Sequence, residues 1–170
     1  MRSYLLSVKP ALSLALVPSR RDIAASYQRS LLLIWAISII GLLLYAFPRL
    51  LIISGSMAPT IPVGKIIVAN RIGYFGSAPK RGDIAVFRPI AEFSATQWSH
   101  RIIGLPGDIV SIRNGHVTVN GQAIEYDATT DPDFGDIVVP KGYYYEKGDN
   151  LEAINGLVPK SAVIGKIIVY

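Results

Sequence analysis

Ile109-Val110-Ser111-Ile112-Arg113-Asn114-Gly115-His116-Val117-Thr118-Val119 decides how the folded part of this chain is read. Two short β-branched runs flank Asn-Gly, and a two-residue turn of that composition takes positive φ at both central positions, which matches the twist of antiparallel strands. A hairpin follows from local chemistry alone. Asn120-Gly121 offers the same turn again, leading into Gln122 to Tyr126. Further runs of similar length are bounded by glycine and proline: Lys65 to Asn70, Asp83 to Arg88, Arg101 to Leu105, Ile137 to Val139, Tyr143 to Glu146 and Val163 to Tyr170. This spacing predicts a mostly β fold, a compact and mainly antiparallel domain. Asp127 to Asp136, with Pro132 and Gly135, reads as a surface loop.

Upstream the pattern is different. Leu31 to Phe47 carries no charge, and as a helix it would reach about 26 Å against a hydrocarbon core of roughly 30 Å. The run is long for a cleaved secretory signal and no small-x-small site follows it, so it reads as a permanent transmembrane signal anchor. Before it, Arg2, Lys9, Arg20, Arg21 and Arg29 stand against one acid, Asp22. Basic residues on the N-terminal flank predict a cytoplasmic tail over 1–30, an anchor over 31–48 and an extracytoplasmic β domain over 49–170. Ala11 to Val17, closed off by Pro18, is too short to span and fits an interfacial or unstructured segment.

The net charge of +5 over 170 residues therefore speaks for membrane orientation and against a nucleic-acid partner, the more so because no basic-faced helix follows residue 50. No cysteine is present, and His100 and His116 are too few for a histidine metal site. No metal or cofactor is implied.

Chemistry gathers around Ile53-Ser54-Gly55-Ser56-Met57-Ala58-Pro59-Thr60. Small residues beside Ser56 let a substrate backbone approach, and Pro59 restricts Ala58 to extended conformations, although an ordinary turn has the same composition. A serine nucleophile needs a base. His116 abuts the Asn114-Gly115 turn and reads as a solvated hairpin residue; His100 stands at the start of an apolar strand that ends in Leu105-Pro106-Gly107-Asp108. Lys65 and Lys80 are reserve bases. Asp83 and Asp108 each follow a glycine and read as turn formers, and Arg101 as one half of a structural ion pair.

Four blocks in this order, Ser54 to Thr60, Arg81-Gly82-Asp83-Ile84-Ala85-Val86-Phe87, His100 to Asp108 and Gly148-Asp149-Asn150, behind one anchor, resemble the type I signal peptidase family. The resemblance implies a membrane-bound serine endopeptidase acting on signal-peptide-bearing preproteins at the cell membrane, with small side chains preferred one and three residues before the cut. It implies Ser56 as nucleophile, and Ser54 with the Ser56 N–H as the oxyanion hole. Most bacterial members have a lysine where this chain has His100, and there the likeness is to the endoplasmic-reticulum and archaeal branch. The serine, aspartate and arginine cluster that follows Gly-Asp-Asn in the bacterial pattern is replaced by Leu151-Glu152-Ala153-Ile154-Asn155.

These two departures are coupled. A lysine base must be lowered by about three pH units to be neutral near pH 7, whereas a histidine starts near 6.5 and needs less support. A carboxylate that fixes the imidazole tautomer would still help. Asp149 and Glu152 are the nearest by motif, with Asp149 the third-residue candidate and a Ser-His dyad the alternative. Three rivals stand beside the peptidase reading: a processing peptidase dedicated to one secretion or pilus cargo, an inactive membrane-anchored binding domain of the same fold, and a self-cleaving repressor. The anchor and the lack of a DNA-reading helix speak against the last.

Overall fold

The computed structural model describes residues 19–90 and 96–170. The apolar patch from Ala11 to Val17, and Arg2 and Lys9 of the basic tail, lie outside the described residues.

One helix, α1 (Arg20–Ala46), contains the apolar run and begins well before it, inside the stretch read as tail. Its start is capped by sequence: Ser19 Oγ and N–H both donate to Asp22 Oδ2, and the Asp22 N–H donates back to Ser19 Oγ at 3.2 Å, a reciprocal box that satisfies free N–H groups of the first turn. Pro48 cannot continue a helix and α1 stops before it. By length and composition α1 can cross a membrane.

After α1 come β1 (Arg49–Leu51), β2 (Ile66–Asn70), β3 (Ile84–Phe87), β4 (Trp98–Gly104), β5 (Ile109–Arg113), β6 (His116–Val119), β7 (Gln122–Ala128), β8 (Phe134–Val138), β9 (Tyr143–Lys147), β10 (Asn155–Pro159) and β11 (Val163–Val169). They form a seven-stranded sheet in the order β1-β2-β11-β3-β4-β9-β10 and a four-stranded sheet in the order β7-β6-β5-β8, every pair antiparallel. The mostly β reading holds. Asn114 and Gly115 have φ of 54° and 72°, and Asn120 and Gly121 have 53° and 76°, so both Asn-Gly pairs make the turns their composition requires.

Two expectations shift. Asp127 to Asp136 is not all loop, since β7 runs to Ala128 and β8 starts at Phe134. His100 lies inside β4 rather than ahead of it, because Trp98 and Ser99 extend the pairing with β3 through Phe87↔Trp98 and Val86↔Ser99.

The large sheet buries both faces. Ile84 and Val86 turn toward a cluster with Met57, Ile61 and Ile67, while Ala85 and Phe87 turn the other way toward Ile102, Tyr144 and Val158. A third cluster, with Ile103, Tyr145, Val110 and Val117, joins β4 and β9 to the smaller sheet. Met57 and Ile61 thus anchor the segment that carries Ser56, each essentially fully buried.

Candidate active site

Ser56 sits in a turn between β1 and β2 that is pinned from within and by Asn150. Within the turn the Ala58 N–H donates to Gly55 O at 3.0 Å and the Ile61 N–H to Met57 O at 2.8 Å. From the other side, the Asn150 N–H donates to Ser56 O at 3.0 Å and Asn150 Nδ2 to Gly55 O at 3.2 Å. Gly148-Asp149-Asn150 is therefore a clamp on the serine turn. A Cβ at Gly148 would lie 2.5 Å from Ser56 O and 3.2 Å from His100 Nε2, so only glycine fits between the serine turn and the imidazole.

Ser54 and Ser56 place their hydroxyls 3.4 Å apart on one side of the turn. His100 is buried in β4 and shares a face with Ile102, which is opposite Glu146 in β9. Residues on one face that are diagonal across an antiparallel pair come within side-chain reach. His100 Nδ1 accordingly meets Glu146 Oε2, with 9% and 1% of the two side chains exposed. Ser54, Ser56, His100 and Glu146 all line one cavity of about 300 Å³, walled also by Trp98 and Ile154. An alcohol and an imidazole in the wall of one cavity, with a buried carboxylate behind the ring, are the parts of nucleophilic acyl transfer.

Asp149 is placed elsewhere. Both of its oxygens are taken by Arg101, Nε to Oδ1 at 2.9 Å and Nη2 to Oδ2 at 2.6 Å, and Thr60 Oγ1 adds a third bond at 2.5 Å. The carboxylate expected to fix the imidazole instead fixes an arginine, and these bonds hold the Arg101 guanidinium still more firmly in its charged form. Glu152, the other acid suggested by motif, is exposed and does not line the cavity.

Glu146 was missed because it follows three tyrosines at the end of a strand, where a glutamate ordinarily faces solvent. The readable signal was two adjacent ionisable residues, Glu146 and Lys147, continuing an aromatic strand directly before the Gly-Asp-Asn block. Strand alternation sends Lys147 to the opposite face, where Nζ donates to Gly148 O at 2.8 Å and burial pushes its pKa down against the pull of Asp149, Asp127 and Asp131. Lys65 and Lys80 are exposed and line no part of the cavity. His116 is a surface residue, Nδ1 3.0 Å from Asp127 Oδ2. Asp83 and Asp108 accept the Lys80 and Leu105 N–H groups of their own turns, as read from sequence.

A family model described as signal peptidase, peptidase S26, matches residues 25–170. A probable signal peptidase I-2 from Synechocystis sp. is 33% identical over 128 residues, covering 68% of this chain and 59% of that protein. A signal peptidase I from Leptolyngbya laminosa is 33% identical over 130 residues, covering 68% and 64%. The chain thus spans about three fifths of the length of the curated relatives it matches. A crystal structure of a signal peptidase I from Enterococcus faecalis V583 covers 54% of this chain and 98% of its own at 24% identity, with a TM-score of 0.42.

Proposed function

Since the chain belongs to the signal peptidase, peptidase S26, family, we propose that it is a membrane-bound serine endopeptidase that cleaves N-terminal signal peptides from exported preproteins. The observation that carries this reading is the shared cavity of Ser54, Ser56 and His100. Ser56 Oγ attacks the scissile carbonyl carbon as its proton passes to His100 Nε2. The oxyanion is held by the Ser54 hydroxyl and the Ser56 N–H, and losing one such donor costs roughly 3 kcal/mol. Collapse of the tetrahedral intermediate breaks the C–N bond, and His100 returns the proton to the leaving amine. Water then attacks the acyl ester as Nε2 takes one of its protons, the ester C–O bond breaks, and Nε2 passes that same proton to Ser56 Oγ, leaving the other on the product acid.

In this reading α1 is the single anchor, with residues 1–30 cytoplasmic and basic, 31–48 spanning and 49–170 outside. Its partners are preproteins and the lipid bilayer. Confining enzyme and substrate to one membrane raises their effective concentration without any new contact. Asp149 acts through Arg101 and Thr60 as a brace for the serine turn rather than on the imidazole.

The test is cleavage of several model preproteins by the full chain in lipid from about pH 5 to 9, with Ser56→Ala and His100→Ala alongside. A cut after a small residue, abolished by either substitution, is the expected result. Cleavage of one preprotein alone would identify a peptidase dedicated to one cargo. Activity that survives His100→Ala and climbs to high pH would make a lysine the base, and a folded wild type that cuts none would be a binding domain.

A further inference from the structure

We propose that Glu146 is the positioning residue of the catalytic histidine, its carboxylate accepting the His100 Nδ1–H so that Nε2 faces Ser56 without a proton. The proposal rests on the Ser56–His100 reading above, and it assigns the third place of the site to a residue outside all four motif blocks.

The argument begins with burial. Glu146 has 1% of its side chain exposed, and an ionised carboxylate so placed must be paired. A lysine is adjacent in sequence, yet Lys147 points from the other face of β9 and spends its ammonium on Gly148 O. The partner of Glu146 is His100. A buried pair of this kind often stabilises no better than an apolar pair of equal volume, so its place in the wall of the cavity that Ser56 lines points to chemistry rather than stability.

Geometry fixes which nitrogen does what. Nδ1 faces Glu146, and Nε2 lies on the side of Gly148 and the Ser56 carbonyl. A neutral imidazole has one N–H and one lone pair, and the hydrogen bond made by one nitrogen sets the state of the other. With the proton on Nδ1, the lone pair on Nε2 can accept the Ser56 hydroxyl proton. When Nε2 is protonated during attack, the carboxylate balances the imidazolium charge inside a cavity whose remaining lining is uncharged. On β9 itself burial holds the Tyr144 and Tyr145 hydroxyls neutral above their ordinary range and pushes the Lys147 ammonium down.

The experiment uses the full chain in lipid, as wild type, Glu146→Gln and Glu146→Asp, with kcat and KM for a preprotein measured beside the 15N spectrum of the imidazoles. His100 and His116 are the two histidines of the chain, so a His116→Ala background leaves His100 as the single ring signal. The expected wild-type spectrum has Nδ1 protonated and Nε2 bare near neutral pH. Glu146→Gln, whose amide can donate to Nδ1, should move the proton to Nε2 and lower kcat by about 10³- to 10⁴-fold, with KM within about threefold. Glu146→Asp should keep the wild-type tautomer and recover much of the rate. A wild-type His100 protonated on Nε2, or a Glu146→Gln enzyme within about threefold of wild type in kcat, overturns the proposal. If Glu146→Gln does not fold, the wild-type tautomer decides alone. Loss of the Ser-His reading would show separately, as a wild type that does not cleave or a His100→Ala variant that does, while the spectrum still reports whether Glu146 holds the ring.

Discussion

Arg101 grips both carboxylate oxygens of Asp149, and Asp149 lies between Gly148, which packs against Ser56 O, and Asn150, which bonds it. The pair is largely dry, with 16% and 2% of the side chains exposed. Removing one partner strands a buried charge. Asp149→Asn should therefore cost about 3 kcal/mol in denaturant unfolding and lower cleavage as well. Arg101→Lys should be destabilised as well, because an ammonium cannot reproduce the two parallel bonds.

Gly148→Ala gives a different signature. The added Cβ would stand 2.4 Å from Ala153 Cβ and 2.5 Å from Ser56 O, and backbone must move to admit it. A displacement of about 1 Å in the nucleophile is enough to lower kcat by about 10²-fold. The preprotein assay should show that loss while the thermal transition stays cooperative.

Legibility in the sequence followed the range of the physics involved. Both Asn-Gly hairpins were readable because a turn is decided by its own residues, and α1 because its apolar run is continuous. β10 was not, since Asn155-Gly156 at one end and Pro159 at the other resemble a turn; its place at the edge of the large sheet is what tolerates the proline. Ser54, Ser56 and His100, singled out by motif order, lie around one cavity. Which carboxylate faces His100 could not be read from motif order, because it depends on the pairing of Ile102 with Glu146 across β4 and β9. Motif proximity favoured Asp149, and sheet register selects Glu146.

Acid stability should depend on Asp83. Burial alone would raise its pKa, but hydrogen bonds from Lys166 at 2.6 Å and from the Lys80 N–H at 3.0 Å outweigh that and hold it below the ordinary carboxylate value. A carboxyl depressed in the folded state adds stability above its unfolded value of about 3.9, and that contribution is lost as the pH falls through the folded value. Unfolding midpoints measured from about pH 6 down to 2 should fall less steeply in Asp83→Asn than in wild type, with the difference confined to the acid end.

His116 provides the contrast to His100. It is surface-exposed on β6 with Asp127 as its partner, 60% and 29% of the side chains being accessible. Exposed pairs contribute little, so His116→Ala should change the unfolding free energy in denaturant by under about 1 kcal/mol and leave the rate of cleavage unchanged.

The order of the large sheet has a consequence for timing. β11 lies between β2 and β3, so residues 163–169 join the half of the sheet that carries the serine turn to the half that carries the imidazole. Synthesis runs from the N-terminus, and Ser56 is therefore made long before the strand that joins the two halves. A ribosome-bound chain therefore carries Ser56 on a sheet that is still open, and its two halves are joined only once residues 163–169 have been made.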